Sequence, residues 1–241
     1  MDILGVRVHN LSFNQALEKI ESFIKSGQKH QIATINAEFI IAAQKDLEFK
    51  KILNSASLAV PDGTGLLFAS KFLYGAKNAF KERVTGVDLT WELAKIAEKN
   101  NWSIYLLGAK TGVAQKTAVR LKYLYHNLKI VAISEGMPRY TEKQVLANIN
   151  KVKPDILLVA FGAPKQEKFI AKNLPNLNFK VAIGVGGTFD FIAETQKRAP
   201  VWLQKLGLEW LWRLIHEPKR IGRIYNAVIK FPFLVFWSKI T

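Results

Sequence analysis

The sequence predicts an α/β protein of the Rossmann-like, doubly wound kind, with a mainly parallel sheet and a C-terminal basic amphipathic helical appendage. Two observations indicate the fold class. Runs of about five or six mostly apolar residues alternate along the 241-residue chain with helical stretches of about ten to fifteen residues. Nearly every apolar run also ends at a glycine or a small polar residue. This alternation is typical of a parallel sheet with helices on both faces.

Local signals place the individual helices and strands. Ser12 and Gln15 form a capping box at the start of the first predicted helix, and Gly27 ends that helix. Thr141 and Gln144 form a second capping box. The predicted strands cover residues 3–8, 31–35, 58–61, 102–107, 129–133, 155–161 and 180–183. The predicted helices cover residues 12–26, 36–51, 65–74, 86–100, 111–126 and 141–152, and a further helix begins near Pro164, which suits a first turn.

Composition excludes several classes of protein. The chain is 49% apolar, which is ample for a packed core and argues against disorder. It has no cysteine, so disulfides, thiolate nucleophiles and cysteine zinc sites are excluded. The four histidines are scattered, and we expect no metal site from them. Residues 1–10 do not resemble a signal peptide, and no apolar run approaches the roughly 18 to 20 residues that span a bilayer, so we expect a cytoplasmic protein.

A strong positive charge points to an anionic partner. The chain has 35 Lys and Arg against 19 Asp and Glu, a formal net charge of +16. Such a surplus indicates nucleic acid, anionic lipid or a phosphorylated substrate. Residues 196–241 contain nine of these cations, two Glu and four of the six tryptophans. The change in composition divides the chain into a catalytic α/β core, residues 1–195, and a membrane-associating helical appendage, residues 196–241.

The sequence predicts two helices in the appendage, one starting at Pro200 and one starting at Pro218. On the second helix, apolar side chains share one stripe and basic side chains project from the opposite side. A basic amphipathic helix with Trp and Phe is typical of a helix that lies in a membrane interface. A helical contact in a homo-oligomer is the alternative, and nucleic acid is disfavoured because no nucleic-acid motif is present. The stripe consists of Ile221, Ile224, Tyr225 and Val228, and the basic side consists of Lys219, Arg223 and Lys230.

Polar residues follow the predicted strands where each strand ends. Thr34 and Asn36 follow one strand, Asp62 the next, and Glu135-Gly136 another. Because ligands bind outside the carboxyl ends of parallel strands, we expect these loops to converge on one rim. Asp62 alone, between Pro61 and Gly63, would also fit a turn or a helix cap.

Two further loops on this rim suit a nucleotide. Residues 108–112 and 184–187 are glycine-rich and each enters a predicted helix, where backbone N–H groups favour phosphate. Neither loop matches a dinucleotide or Walker A fingerprint, so ordinary tight turns remain an alternative. Asp190 would contact a base or ribose, or else cap a helix. No Asp-x-Asp pair is present, so Arg or Lys would have to balance a leaving diphosphate.

A spaced set of motifs carries a family resemblance. It comprises Thr34-Ile35-Asn36-Ala37-Glu38, Pro61-Asp62-Gly63-Thr64-Gly65, Arg83-Val84-Thr85-Gly86-Val87-Asp88, Phe161-Gly162-Ala163-Pro164-Lys165-Gln166-Glu167, Gly184-Val185-Gly186-Gly187-Thr188-Phe189-Asp190 and Arg198-Ala199-Pro200. Together these resemble the WecG/TagA/CpsF glycosyltransferases, bacterial enzymes of cell-surface polymer synthesis, and especially the TagA branch. The resemblance covers essentially the whole chain.

The resemblance implies transfer of N-acetylmannosamine, or its uronic acid in another branch, from the UDP-sugar. The acceptor would be the 4-OH of N-acetylglucosamine on undecaprenyl diphosphate, in the first committed step of wall teichoic acid linkage-unit synthesis. The reaction would invert configuration and need no metal or cofactor. The enzyme would be peripheral on the inner face of the plasma membrane.

The resemblance also implies roles for particular residues. Asp62 would be the general base, and Thr34 and Asn36 would orient the acceptor or Asp62. The remaining positions would bind substrate: Gln166 the sugar, Gly186, Gly187 and Asp190 the nucleotide, and Arg83, Arg213, Arg220 and Arg223 the diphosphate. From the residues themselves there are two rival hypotheses. One is a nucleotide-dependent oxidoreductase, and the other is a non-enzymatic membrane-surface or nucleic-acid adaptor that uses the appendage alone.

Overall fold

A computed structural model describes residues 1–135 and 141–240. Their main feature is a central six-stranded parallel sheet. The predicted doubly wound α/β class is confirmed. Gly136, at the end of one predicted loop, lies outside the described residues. The strands are β3 (His30–Ile35), β4 (Leu58–Pro61), β5 (Ser103–Gly108), β6 (Lys129–Ser134), β7 (Ile156–Ala160) and β8 (Val181–Gly184), in the order β4-β3-β8-β7-β5-β6.

The predicted first strand, residues 3–8, is wrong. Asp2–Ile3 (β1) and Val6–Arg7 (β2) instead form a small antiparallel hairpin outside the main sheet. Leu4 and Gly5 turn the chain between them with φ of 53° and 80°. Two successive residues at positive φ make the tight hairpin turn that matches strand twist, so the chain reverses before a longer strand can form.

Helices cover both faces of the sheet, as the strand pattern predicts. Successive side chains of a strand point to opposite faces, and the strands accordingly contribute to separate apolar clusters. One face is covered by α1 (Phe13–Ser26), α5 (Gly86–Asn100), α6 (Val113–Leu124) and α9 (Thr188–Ile192). The other is covered by α2 (Ala37–Ala43), α3 (Leu47–Ser55), α4 (Thr64–Tyr74), α7 (Glu142–Val152), α8 (Lys165–Asn173) and the C-terminal α13 (Phe231–Ile240).

Local capping explains the helix boundaries. The two predicted capping boxes are present at Ser12 and Thr141. The predicted helix over residues 36–51 is instead two helices, α2 and α3. Asp46 separates them because its side chain accepts the Phe49 N–H at 2.9 Å and caps α3.

The neighbouring strands β3 and β8 define a switch point. They pair in parallel, with Ala33 opposite Gly184 at their carboxyl ends. The chain leaves β3 into α2 on one face and leaves β8 into α9 on the other. The two loops therefore diverge and open a crevice at this edge of the sheet, the usual ligand site of doubly wound folds.

The appendage is helical but differs from the prediction in two ways. The first predicted helix is broken into α10 (Val201–Lys205) and α11 (Glu209–His216) by Gly207, which has a φ of 74°. A short 3₁₀ turn, Pro218–Arg220, follows it. The last helical run then comprises α12 (Ile221–Tyr225), a π-helical segment (Asn226–Lys230) and α13.

The predicted apolar stripe of the second appendage helix is split between two faces. Ile224 is buried with Phe231 and Val235 on the side that packs on the core, whereas Ile221 and Tyr225 are exposed. The stripe divides because the helical run has two apolar faces, one docked and one bare. Within the described residues, no helix is long and apolar enough to cross a membrane. The domain boundary near residue 195 stays a prediction.

Candidate active site

Asp62 lies at the carboxyl edge of the sheet, directly after β4. Its backbone N–H donates to the carbonyl of Ile35 at 2.7 Å, so the end of β3 fixes its position. Its side-chain Oδ2 accepts the N–H of Gly86 at 3.2 Å. Gly86 is the first residue of α5, so the carboxylate lies at the N-terminus of a 15-residue helix, where negative charge is favoured.

Gly86 is the point at which three polar side chains meet. A methyl group on its Cα would lie 3.3 Å from Thr188 Oγ1 and 3.7 Å from both Asp62 Oδ2 and Thr34 Oγ1. A side chain at position 86 would therefore intrude between the groups that follow β3, β4 and β8. The convergence of these loops on one rim was predicted, and Thr188 belongs to the predicted loop that follows β8.

The carboxyl group of Asp62 has an unusual protonation equilibrium. Burial raises its pKa to about 7, because a charge is poorly solvated in this crevice. The Gly86 N–H and the positive charges of Arg83 and Arg213 act in the opposite direction, and the negative charge of Glu209 adds to the rise. A carboxylate with a pKa near neutrality is suited to accept a proton from a hydroxyl group.

Thr34 and Asn36 lie beside Asp62 and line the same cleft. The Thr34 hydroxyl donates to the carbonyl of Gly184 at 3.1 Å and ties β3 to β8. Asn36 Oδ1 accepts the Phe39 N–H at 3.2 Å and caps α2. Both side chains thus hold the loops of the switch point in place, and their role in orienting the acceptor stays a prediction.

Glu209 connects the appendage to the core. Its Oε2 lies 2.8 Å from Arg83 Nη1, and its Oε1 lies 3.9 Å from Arg213 Nη2. Gln204 Oε1 also accepts from Arg83 Nη2 at 3.3 Å. Sequence reasoning missed Glu209, because nothing in the motifs marks a lone glutamate 126 residues from its partner.

The predicted arginines all line the cleft, and each has a carboxylate partner. Arg213 also lies over the ring of Phe191, 4.9 Å from its centroid, and burial lowers its pKa. Arg220 Nε lies 2.6 Å from Glu217, and Arg223 Nη2 lies 2.6 Å from Glu38. The core and the appendage therefore bring four guanidinium groups to one cavity.

Gln166 braces two glycine-containing loops. The side chain is buried, its Oε1 accepts the N–H groups of Gly162 and Gly186 at 3.0 Å each, and its Nε2 donates to Glu167 at 2.6 Å. These bonds fix the loop after β7 against the loop after β8. Sugar binding by Gln166 stays a prediction.

Glu167 is a second buried carboxyl group, to which the sequence motifs assigned no role. Burial raises its pKa to about 7. It packs against Gly184, where a Cβ would collide with its carboxylate. It orients the Gln166 amide, so that the oxygen of the amide faces both loops.

The remaining predicted positions are in the loop and first turn after β8. Gly186 has a φ of 53°, Gly187 caps α9, and Asp190 lies in the first turn of that helix. Asp190 is bonded to the Thr195 hydroxyl, and its role toward a nucleotide stays a prediction.

An ion pair at the start of the appendage supports the Asp62 environment. Arg198 donates to both carboxylate oxygens of Asp88, at 2.6 and 3.1 Å. Asp88 also accepts the hydroxyl of Thr85, which caps α5. Burial raises the pKa of Asp88, but the bonds from Arg198 and Thr85 outweigh it and hold the pKa below its usual value. Arg198 thus fixes the helix terminus whose first N–H reaches Asp62.

One cavity of about 1460 Å³ is lined by Asp62 and by the predicted Thr34, Asn36, Gln166 and arginine side chains. Its polar end contains Asp62 and the arginines, and its other end is apolar, between α4 and α13. No group of three or more metal-ligating side chains was found among the residues the structure describes.

A doubly wound fold with a carboxyl group and several arginines at its switch point belongs to the class of enzymes that act on nucleotide-linked or phosphorylated substrates. Comparison with known sequences is more specific. Residues 1–241 match the Glycosyl transferase WecG/TagA/CpsF family, and the chain belongs to this family of glycosyltransferases. The predicted family is confirmed.

Two relatives carry the same functional name. An N-acetylglucosaminyldiphosphoundecaprenol N-acetyl-beta-D-mannosaminyltransferase of Staphylococcus aureus (strain MRSA252) is 34% identical over 231 residues, which cover 95% of this chain and 89% of the relative. The enzyme of that name from Bacillus subtilis (strain 168) is 34% identical over 229 residues, covering 91% and 86%.

Proposed function

We propose that this protein transfers N-acetylmannosamine from UDP-N-acetylmannosamine to the 4-OH of N-acetylglucosamine on undecaprenyl diphosphate. The chain is similar to relatives that are named for this transfer, and this similarity supports the identity of the transferred sugar and of the acceptor. The observation that carries the mechanism is the position of Asp62, at a helix N-terminus and with its pKa raised to about 7.

Asp62 acts as the general base of an inverting displacement. Its carboxylate accepts the proton of the acceptor 4-OH while that oxygen forms a bond to C1 of the donor sugar. The bond between C1 and the diphosphate breaks on the opposite side, and UDP leaves with the electron pair. The products are the β-linked disaccharide lipid, UDP and a protonated Asp62.

Arginines stabilise the negative charge that develops on the leaving diphosphate. Arg83, Arg213, Arg220 and Arg223 line the cavity, and guanidinium groups match phosphate oxygens with paired donors. In the free protein Glu38, Glu209 and Glu217 hold these groups. The diphosphate replaces carboxylates as their partner, so the proposed reaction needs no metal ion to balance the charge.

The loop after β8 receives the nucleotide. Gly187 directly precedes α9, and the Gly186 N–H is held by Gln166. Asp190, in the first turn of this helix, contacts the ribose or base in this proposal. Gln166 orients this loop as well as reaching the sugar, so its effect on the donor is partly indirect.

The appendage binds the inner face of the plasma membrane in this proposal. Large apolar side chains recur every four residues along the bare face of the last helical run, and all are more than half exposed. A repeated exposed apolar face beside basic side chains suits an anionic lipid surface. The face consists of Ile221, Tyr225, Ile229, Phe233 and Trp237. A homo-oligomer that covers the same face is the alternative occupant.

Transfer from radiolabelled UDP-N-acetylmannosamine to a lipid-linked N-acetylglucosamine tests the proposal. Wild-type protein should form the disaccharide lipid, and Asp62→Asn should lower kcat by about 10²- to 10⁴-fold, the usual contribution of a general base. UDP-N-acetylglucosamine and the uronic acid donor serve as comparison substrates. Turnover of Asp62→Asn at the wild-type rate would remove Asp62 from the base role, and preference for another donor would change the sugar.

A further inference from the structure

The cavity that contains Asp62 continues into an apolar groove between α4 and α13. Phe68 and Phe72 of α4 and Phe236 of α13 line it, and they are 68%, 41% and 53% exposed. Large aromatic side chains at this exposure on a cavity wall mark a surface that an apolar partner covers. None of the polar chemistry proposed above uses this end of the cavity.

The groove begins at the catalytic loop. Helix α4 starts at Thr64, two residues after Asp62, and Phe68 and Phe72 follow at intervals of four residues on the same helix face. With a rise of 1.5 Å per residue, the stripe from Thr64 to Phe72 extends about 12 Å away from Asp62. The apolar surface is thus a direct continuation of the polar site.

The facing wall is held in place by packing with the core. Phe231 is buried and its ring lies 3.7 Å from where a Cβ on Gly65 would be, next to the Asp62 loop. Farther along, the rings of Phe72 and Phe236 lie 6.0 Å apart. Lys239 Nζ donates to the carbonyl of Phe72 at 2.6 Å and lies 4.4 Å from its ring centroid. The two helices therefore pack together at this point, and the exposed parts of Phe72 and Phe236 form one aromatic surface along the cavity.

The side chains that line the cavity indicate what enters the groove. The helical run that forms the second wall carries Arg223 near its start and Phe236 near its end, and both line the cavity. An acceptor whose sugar hydroxyl lies at Asp62 can place the part beyond its sugar and diphosphate on the stripe that starts at Thr64, while the arginines hold the diphosphate of the donor. In the acceptor of the proposed reaction, the group beyond the diphosphate is a polyisoprenyl chain.

We propose that Phe68, Phe72 and Phe236 bind the first isoprene units of the acceptor lipid. The inference rests on the proposed function for the identity of the acceptor. By holding the polyisoprenyl chain, the groove aligns the diphosphate and the sugar of the acceptor. This contribution to acceptor binding is separate from the attachment of the protein to a membrane. The bare face of the same helical run, which includes Phe233, does not line the cavity.

The separation of the two faces gives a matched pair of variants. Phe72→Ser and Phe236→Ser remove groove side chains, and Phe233→Ser removes an exposed phenylalanine from the bare face of the same helix. All three positions are partly exposed, so the variants should fold, which circular dichroism and the Tm will confirm. Phe68→Ser is a further groove variant at the most exposed position.

Kinetics without membranes or detergent test the groove. Two acceptors are compared, N-acetylglucosamine diphosphate with a farnesyl group and the same sugar diphosphate with a methyl group. Wild-type protein should have the lower KM for the farnesyl acceptor. Each groove variant should raise that KM about tenfold, the effect of losing one aromatic contact, and leave the KM for the methyl acceptor and kcat unchanged. Phe233→Ser should change neither KM but should weaken binding to phosphatidylglycerol vesicles.

Several results would overturn the proposal. They are equal wild-type KM values for the two acceptors, an equal effect of Phe72→Ser on both, or an effect of Phe233→Ser as large as that of Phe72→Ser. A change in sedimentation of the groove variants with both KM values unchanged would assign the groove to contact between copies. If no acceptor turns over, the proposed function fails, and titration of geranylgeranyl diphosphate still tests the groove. Binding should then weaken about tenfold in Phe72→Ser and stay unchanged in Phe233→Ser.

Discussion

The carboxylate of Asp62 accepts the backbone N–H of Gly86 at 3.2 Å, and this bond couples the end of β4 to the start of α5. The coupling places a carboxyl group where a helix terminus favours its charge and burial opposes it. Since its pKa is raised to about 7, burial is the larger effect. The position of α5 therefore fixes the geometry of the proposed base, and burial sets its basicity.

Gly86→Ala should impair catalysis more than stability. The added methyl group would lie 3.3 Å from Thr188 Oγ1, closer than a normal contact, and would push apart the groups around Asp62. A displacement of about 1 Å in a site can cost about 10²-fold in rate, so we expect kcat to fall by about 10- to 100-fold. Steady-state kinetics measures this loss. Gly222→Ala is the control, because a Cβ there meets nothing within 4 Å. Wild-type kcat in Gly86→Ala would show that the site tolerates the displacement.

The pH dependence of kcat/KM should follow the ionisation of Asp62. The base must be unprotonated, so kcat/KM should rise with pH and level off above about 7. Glu209→Gln should move this rise to lower pH. The variant removes a negative charge that raises the pKa of Asp62, and it frees Arg83 and Arg213, whose charges lower it. Arg198 also faces Asp62 and is unchanged in the variant.

A pH series of kcat/KM for wild type and Glu209→Gln measures the shift. Glu194→Gln is a matched control, because Glu194 pairs with Arg120 at 2.9 Å and does not line the cavity that contains Asp62. A loss of activity in Glu209→Gln without any movement of the profile would mean that Glu209 serves only to dock the appendage.

Asp62 should lower stability in the pH range where it is functional. Its folded-state pKa of about 7 exceeds its ordinary value of 3.8, so folding favours the protonated form. The associated stability is fully present below about pH 4 and is lost as the pH rises through 7. Asp62→Asn, which cannot ionise, should therefore be more stable than wild type at pH 8, by at most about 4 kcal/mol.

Urea unfolding at pH 8 and at pH 4 measures this difference, which should largely disappear at the lower pH. Asn36→Asp adds an ionisable carboxyl group beside Asp62, whereas Asp62→Asn removes one, so Asn36→Asp should lower stability at pH 8. Equal stability of Asp62→Asn and wild type at pH 8 would show that the carboxylate is better solvated than its surroundings imply.

The sequence predicted the order of helices and strands well because their signals are local. Ser12 and Thr141 carry complete capping boxes, and both helices begin where these boxes place them. The errors are also local: positive φ at Leu4 and Gly5 turns a predicted strand into a hairpin, and the Asp46 cap divides a predicted helix.

The ion pairs that hold the site together could not be predicted in the same way. Arg83 and Glu209 are 126 residues apart, and Asp88 and Arg198 are 110 residues apart. Each pair forms only because the appendage folds back onto the rim of the sheet. The sequence motifs contain Arg83, Asp88 and Arg198. Their partners depend on tertiary packing, and no periodic pattern in the sequence indicates such pairs.

The Asp88–Arg198 pair should stabilise the junction between core and appendage. Asp88→Ala leaves a partly buried guanidinium without its bidentate partner and weakens the environment of the α5 cap. Charge-assisted bonds of this kind contribute about 1.5 to 3 kcal/mol, so we expect a loss of that order in the free energy of unfolding. Arg198→Lys keeps the charge but not the paired donors, and it should recover only part of the stability.

The comparison that decides this prediction is with an exposed ion pair. Arg120 and Glu194 lie 2.9 Å apart with side chains 44% and 69% exposed, and Arg120→Ala should cost no more than about 1 kcal/mol. Urea unfolding gives both values, and limited proteolysis near residue 197 reports detachment of the appendage. If Asp88→Ala costs no more than Arg120→Ala and cleavage is unchanged, the pair does not anchor the appendage. If it costs more and kcat falls with it, the junction helps to hold the α5 terminus at Asp62.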